Sequence, residues 1–423
     1  MTSSHPTQHR ASARPARYDA VISGASLAGC TAATLLARAG ARVALLERHH
    51  SPTAHKVLCT HYLQPCSYRV LDRLGVIPAL REAGAVANEA HWYTRWGWIR
   101  PQPKPGADPL PHGFNLRRST LDPLLRAHAA ETDGVDLLTG HSVTELLRDG
   151  DGRVDGVRAR TSDGEREIRG RLVVGADGKD STVAKLAHLR GKTHRNNRFS
   201  YFAYFRGLKS DGDVTRGWFL DPDVAYAMPN DEGITVVAVI PDKKQLPAFR
   251  DDLEASYLDF VRRLPDAPDI DAAERVSKIT GTTNYPLTTR TPTAPGIALI
   301  GDAALTSDPL WGVGCGWALE SGQWLATAVG PALAADGDLG RALDDYRRRH
   351  RRGLRGHQHL VTDYATARGF NPFERLMFSA AAKDAHMARH MHLFASRLIG
   401  PLRFLNPLAL ARATAVNLRH RGA

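Results

Sequence analysis

Four cysteines in 423 residues are too few and too irregularly placed for a disulfide framework or a zinc site. Cys30, Cys59, Cys66 and Cys315 form no C-x-x-C pair, and such sparse usage fits a reducing compartment, so a cytoplasmic location is expected. Long apolar runs are missing too. No stretch reaches about 18 uninterrupted apolar residues, which argues against a membrane-spanning helix. Residues 1–17 are polar, contain arginines and lack an apolar segment, so they read as a loose, disordered tail and not as a secretion signal. Acidic residues are outnumbered 44 to 56, giving a net charge of +12. The densest basic run, Arg347 to Arg352, has no nucleic-acid-binding module beside it and reads as a solvated helix face; no nucleic-acid partner is expected. His386, His390 and His392 fall on one helix face, but no carboxylate or cysteine joins them, so no metal site is assigned. No internal repeat is present, and the motif described next occurs once.

What is present is an ordinary globular composition, 43% hydrophobic and 24% charged, in a chain long enough for two or three domains. The stretch 20–48, AVISGASLAGCTAATLLARAGARVALLER, reads as a strand, a glycine turn, a helix closed at Gly40 and a parallel strand ending at Glu47. That unit holds dinucleotides: a tight turn aims helix N-terminal amides at a pyrophosphate, and small side chains permit close approach. Gly24 and Gly29 are the first and third glycines, with Ser26 where the second is usual. Glu47 stands where a carboxylate takes a ribose hydroxyl.

Two further stretches repeat the grammar of a strand end feeding a helix. LVVGADGKDSTVAKLA, 172–187, delivers Asp177 and Gly178 to a turn before a helix begun at Ser181. ALIGDAALTSDPLWGVGCGWALESGQWLA, 298–326, delivers Gly301 and Asp302, crosses at Pro309 and opens a long helix at Gly312 and Gly314.

Taken in order, the three stretches resemble the FAD-dependent aromatic hydroxylases typified by para-hydroxybenzoate hydroxylase, whose scaffold is shared by geranylgeranyl reductases and flavin-dependent halogenases. The resemblance covers roughly residues 18–335. It implies an α/β fold: a discontinuous Rossmann-like FAD-binding domain of glutathione-reductase type, a mixed β-sheet substrate domain and C-terminal helices. Carried over, Gly24, Ser26 and Gly29 would lie on the pyrophosphate, Glu47 on the adenosine ribose and Arg48 beside the adenine. Arg118 would touch the pyrophosphate, Asp302 the ribityl chain, and Pro309, Gly312 and Gly314 the isoalloxazine ring. Asp177 belongs to the motif tied to FAD and NAD(P)H, and Lys56 to a loop reaching the ribityl or ring side. Departures occur at Ala184, where an arginine is usual, at Leu305 for a histidine, and at Val313 and Gly316 for glutamine and asparagine.

The implied activity is that of a single-component monooxygenase using NADPH or NADH and O2, acting through a flavin C4a-hydroperoxide on an aromatic or polyketide-like small molecule. His61, as an acid/base, and Trp311, in the ring-facing loop, are the candidate catalytic residues. The alternatives are an alkene reductase, since HKVLCTHYLQP loosely resembles the K-x-C-G loop of geranylgeranyl reductases, a halogenase, since WGWIRP echoes a W-x-W-x-I-P motif with Arg100 in the isoleucine place, and a flavin-binding protein without catalysis. The apolar, arginine-dotted stretch 391–413 suits a membrane-surface helix or, preferably, a helix pair docked on the FAD domain.

The expected organisation is FAD domain over 18–90, 114–194 and 285–337, an aromatic and proline-rich substrate-side segment over 91–113, a β-rich substrate domain over 195–284 and a helical region over 338–423. A helix capped at Ser119 or Thr120 is expected, and another over 245–263. Trp92, Tyr93, Trp96 and Trp98 form either a substrate-stacking cluster or a packed hairpin.

Overall fold

The computed structural model describes residues 17–420 except 210, 211 and 213, so the expected N-terminal tail lies outside the described residues apart from Arg17. The chain begins with β1 (Tyr18–Ser23), α1 (Leu27–Ala37) and β2 (Val43–Glu47), paired in parallel. Then come β3 (Val86–Thr94), β4 (Gly97–Ile99), α2 (Arg118–Ala130), β5 (Val135–Thr139), and the meander β6 (Ser142–Arg148), β7 (Val154–Thr161) and β8 (Gly164–Gly175). Strands β9 (Ser200–Arg206), β10 (Val214–Phe219), β11 (Val224–Pro229) and β12 (Ile234–Ile240) precede β13 (Ile297–Leu299). Helices α3 (Gly314–Ala334), α4 (Leu339–Tyr364), α5 (Pro372–Ala381), α6 (Ala385–Ala395) and α7 (Pro407–Arg419) complete it.

Two sheets organise these elements. In the first, β13, β8, β1, β2 and β5 run parallel in that spatial order. Their near-continuous apolar sequences follow from burial on both faces. One face carries α1, α2 and α3, through Leu36, Leu125, Leu319 and Leu325. The other is covered by the β6–β7 ribbon and the helix Thr182–Leu186, with Val157, Ile168 and Val183 against Val21 and Leu46. The second sheet is mixed: β9, β12, β11 and β10 pair antiparallel, and β3 joins β10 in parallel. Trp218, Phe249 and Tyr257 fill one of its faces, and α4 to α7 cover the other.

Several expectations are corrected here. The helix after residue 114 starts at Arg118, and neither Ser119 nor Thr120 caps it; Arg117 takes the capping position while its guanidinium pairs with Asp231 at 2.8 Å. Strand β8 does double duty: its first half pairs antiparallel with β7 and its second half parallel with β1 and β13. The single helix expected over 245–263 is two, Leu246–Asp251 and Leu253–Arg262, because Asp252 leaves helical geometry and accepts the Ala255 amide at 2.9 Å. The boundary expected at residue 90 falls inside β3, which belongs to the mixed sheet. Finally, α6 joins the apolar core of the mixed sheet through Met391 and Phe394, and α7 packs on α5, where Asn417 accepts the Ser379 hydroxyl at 2.6 Å, instead of both docking on the FAD domain.

Candidate active site

Each stretch singled out in the sequence ends at a parallel strand tip, and the strand order sets those tips side by side. Gly24, at φ +108°, abuts the second stretch: a Cβ there would stand 2.5 Å from the Ala176 carbonyl oxygen. A Cβ on Gly29 would lie 1.8 Å from the Gly24 carbonyl oxygen, so the turn closes only on glycine. Gly301 packs on α1, where an added Cβ would meet the Ala28 methyl at 3.1 Å. The Asp302 turn therefore borders the crevice that fronts Gly24.

The polar residues of this crevice form two linked clusters. Arg118 is buried and clamps Asp122 one helical turn on, with Nε donating to Oδ1 and Nη2 to Oδ2, each at 2.9 Å. Its Nη2 also donates to Ser26 Oγ at 2.7 Å. Asp122 further accepts the Lys56 amide at 3.0 Å, tying the 54–61 loop to α2. Glu47 is buried, accepts the Ala25 amide at 3.2 Å and the His49 amide at 3.0 Å, and so holds the end of β2 to the glycine turn. In the second cluster Lys56 Nζ donates to Asp302 Oδ2 at 2.7 Å, and the Tyr285 hydroxyl reaches the same oxygen at 3.3 Å. Burial, with the Asp302 carboxylate beside it, pushes the Tyr285 phenol up.

Other sequence-selected residues are placed less centrally. Asp177 accepts Ser181 Oγ at 2.5 Å and the Val183 amide at 3.0 Å, so its carboxylate secures a helix start while its backbone adjoins Gly24. Arg48 is exposed and bonds His49 at 3.1 Å. His61 is buried at φ +63° and fully engaged. Nδ1 accepts the Arg118 amide at 3.1 Å, which leaves the ring proton on Nε2 to donate to the Tyr204 hydroxyl at 2.7 Å. Burial pushes the Tyr204 phenol up to about 12.

Toward the mixed sheet, the Pro309–Trp311 turn closes a narrow apolar cavity of about 50 Å³. Strands β3, β10 and β11 contribute Trp92, Phe219 and Tyr226, and α5 and α6 contribute Phe378, Met391 and Phe394. The turn is fixed from several sides. Asp308 accepts the Leu310 amide at 2.9 Å and Asn196 Nδ2 at 2.7 Å, the Tyr226 hydroxyl donates to the Leu310 carbonyl, and Gln64 Nε2 donates to the Trp311 carbonyl at 3.3 Å. Trp311 lines the cavity, and its buried indole N–H has no hydrogen-bond partner. At Gly312, φ +61°, a Cβ would strike the Tyr62 ring at 2.7 Å, whereas a Cβ on Gly314 would meet nothing within 4 Å. The first turn of α3 thus opens onto free space.

Of the aromatic quartet at 92–98, only Trp92 lines this cavity. Trp96 stacks on Phe370, and Trp98 packs edge-on to Trp218, so WGWIRP forms the β3–β4 hairpin and places neither of its tryptophans at the Pro309 turn. Asp122, Asn196 and Asp308 escaped the sequence reading. Only Asp122 carried a usable signal, its i,i+4 spacing from Arg118; the others meet across long separations.

Glycines with no room for a side chain, a buried cation at α1, a carboxylate at the third strand tip and open space at the start of α3 are what a dinucleotide-linked flavin requires, and the residues present fit FAD. The chain is similar to known flavoproteins. Digeranylgeranylglycerophospholipid reductase of Thermoplasma volcanium is 26% identical over 331 residues, covering 75% of this chain and 79% of its own. The 6-methylpretetramide 4-monooxygenase of Streptomyces rimosus is 34% identical over 189 residues, 43% of each chain. The solved structure of the flavin-dependent brominase Bmp2 superposes with a TM-score of 0.77 at 18% identity, covering 96% of this chain and all of that one. The FAD binding domain family matches residues 17–356, and the chain belongs to that family of FAD-dependent oxidoreductases.

Proposed function

We propose that this protein is an NAD(P)H- and O2-dependent monooxygenase that inserts one oxygen atom into an apolar aromatic or polyketide-like small molecule. Gly24, Ser26, Gly29 and Arg118 would hold the pyrophosphate of FAD, Glu47 and Arg48 the adenosine, Lys56 and Asp302 the ribityl chain, and Pro309, Gly312 and Gly314 the ring system. Bound FAD would supply two-electron chemistry and the activation of dioxygen. The protein's own work is then to bind, orient and keep water out. The observation that carries the reading is the cavity at the Pro309–Trp311 turn: its lining is apolar and aromatic, with one unpaired donor in the Trp311 indole N–H. That donor suits a hydroxyl or carbonyl oxygen of an otherwise greasy ring, which Trp92 and Phe394 would flank. His61 acts through Tyr204, whose hydroxyl it holds while leaving that group's own proton free to be donated.

The cavity of about 50 Å³ is smaller than the roughly 150 Å³ that admits a benzene ring. Substrate entry therefore requires α5 and α6 to give way at Phe378, Met391 or Phe394. A reductase is the second reading, favoured by the T. volcanium relative. The test is turnover of candidate substrates with labelled dioxygen. Substrate-stimulated NAD(P)H oxidation with label in the product supports oxygenation. Anaerobic formation of a saturated product supports the reductase, and product that requires chloride or bromide would replace both.

A further inference from the structure

Two thiols lie at the cofactor crevice with no part in the reaction described above. Cys59 sits in the 54–61 loop, between Lys56 and His61; Cys315 is in the first turn of α3, next to Gly314. They are 256 residues apart in sequence, yet their sulfurs are 3.7 Å from each other. The Cys59 sulfur is ringed by donors: the Cys315 thiol, the His61 amide at 3.3 Å and Arg118 Nη1 at 3.7 Å. The hydrogen bond from Cys315 draws the Cys59 thiol well below its usual range against the effect of burial, with the His61 amide and Arg118 adding to it, while the same bond and burial raise Cys315. The proton of the pair thus rests on Cys315, and Cys59, the less buried of the two, is the nucleophile. The other two cysteines differ. Cys30 is buried in α1, and burial pushes the Cys66 thiol up to about 12.

We propose that Cys59 and Cys315 are a peroxide-oxidisable pair whose disulfide ties the 54–61 loop onto the start of α3 and closes the crevice to FAD. The Cys59 thiolate attacks one oxygen of hydrogen peroxide, breaking the O–O bond and becoming a sulfenic acid. The Cys315 sulfur then loses its proton, attacks that sulfur and displaces water. One S–H bond and one thiolate are replaced by one S–S bond, and the peroxide, with the Cys315 proton and one proton from solvent, leaves as two waters. A bond of about 2.05 Å requires the sulfurs to approach by about 1.6 Å from the observed 3.7 Å. The movement falls to Cys59, because α3 is packed along α1 while the loop lies outside any helix or strand. The free space above Gly314 is what the loop would then occupy. The closing of the crevice rests on the placement of FAD proposed above; the formation of the bond does not.

The test uses the full-length protein, reduced and freed of flavin, treated with hydrogen peroxide, alkylated and mapped by peptide mass. The expected result is loss of two thiols and a linked Cys59–Cys315 peptide. The link should form in Cys66→Ser and be absent from Cys315→Ser. FAD affinity, read by flavin fluorescence, should fall at least tenfold in the oxidised wild type, recover with dithiothreitol and be indifferent to peroxide in Cys315→Ser. Sulfinic acid at Cys59 alone, a link to Cys66, or oxidised protein that binds FAD as well as the reduced form would overturn the proposal. Reduced protein that binds no FAD would overturn the cofactor placement and the gating together, and the peptide map would still report whether the pair closes.

Discussion

Replacing Arg118 by methionine isolates the buried charge pair on which the crevice is built. The side chains of Arg118 and Asp122 are 3% and 1% exposed, and the fork between them is bidentate. Methionine keeps most of the volume but leaves the carboxylate with only the Lys56 amide at 3.0 Å and the Ser26 hydroxyl at 3.3 Å as donors. Breaking a buried pair from one side costs roughly 3–5 kcal/mol, because the surviving charge is stranded without a partner. Against a total stability of about 5–15 kcal/mol that loss is large. The assay is urea denaturation of the flavin-free protein, so that lost cofactor binding does not enter. Arg118→Met should fall in that range, and Arg118→Met combined with Asp122→Asn should recover at least about 2 kcal/mol of it, since neutralising the stranded group removes the penalty. A single variant within about 1 kcal/mol of wild type, or a pair whose effects simply add, would refute the reasoning.

Gly29→Ala should yield folded protein that no longer retains FAD, as the new methyl meets the Gly24 carbonyl oxygen at 1.8 Å and must displace the turn; a purified variant with the visible flavin spectrum of wild type would contradict this. Acid stability should carry the mark of His350, which burial pushes down to about 4 and whose Nε2 has no partner. The unfolded chain binds a proton near pH 6.5 that the folded one refuses until about 4, so stability declines as pH falls through that window, by roughly 3 kcal/mol in full at about 1.4 kcal/mol per unit. Denaturation midpoints for wild type and His350→Leu at pH 7 and pH 4.5 check it, the variant losing less on acidification.

The parallel core and its glycine turn were legible in the sequence because the signals are local. Period, turn chemistry and an acid at a fixed offset all lie within 20–48. The same holds for the strand tips at Asp177 and Asp302. What escaped was decided by distant partners. Asp252 breaks a helix that periodicity alone would continue, and Arg117 replaces a serine or threonine cap because Asp231, from the mixed sheet, waits for its side chain. The apolar C-terminal stretch announced that it would be buried but not against what; its partner, the mixed sheet, is assembled from strands that lie between residues 62 and 282. His61 was visible as a residue, while the Tyr204 hydroxyl that gives it a task lies 143 positions away.

The far wall of the apolar cavity is built from Phe378, Met391, Phe394 and Ala395, all beyond residue 356, where the family match ends. In the function proposed above, substrate choice would therefore be written partly outside the matched segment, in the terminal helices. Those terminal helices could then be redrawn to fit another molecule while the matched segment is kept. Exchanging those terminal helices between relatives is the shortest route to a new preference, and it leaves the strand tips around Gly24 and Asp302 untouched.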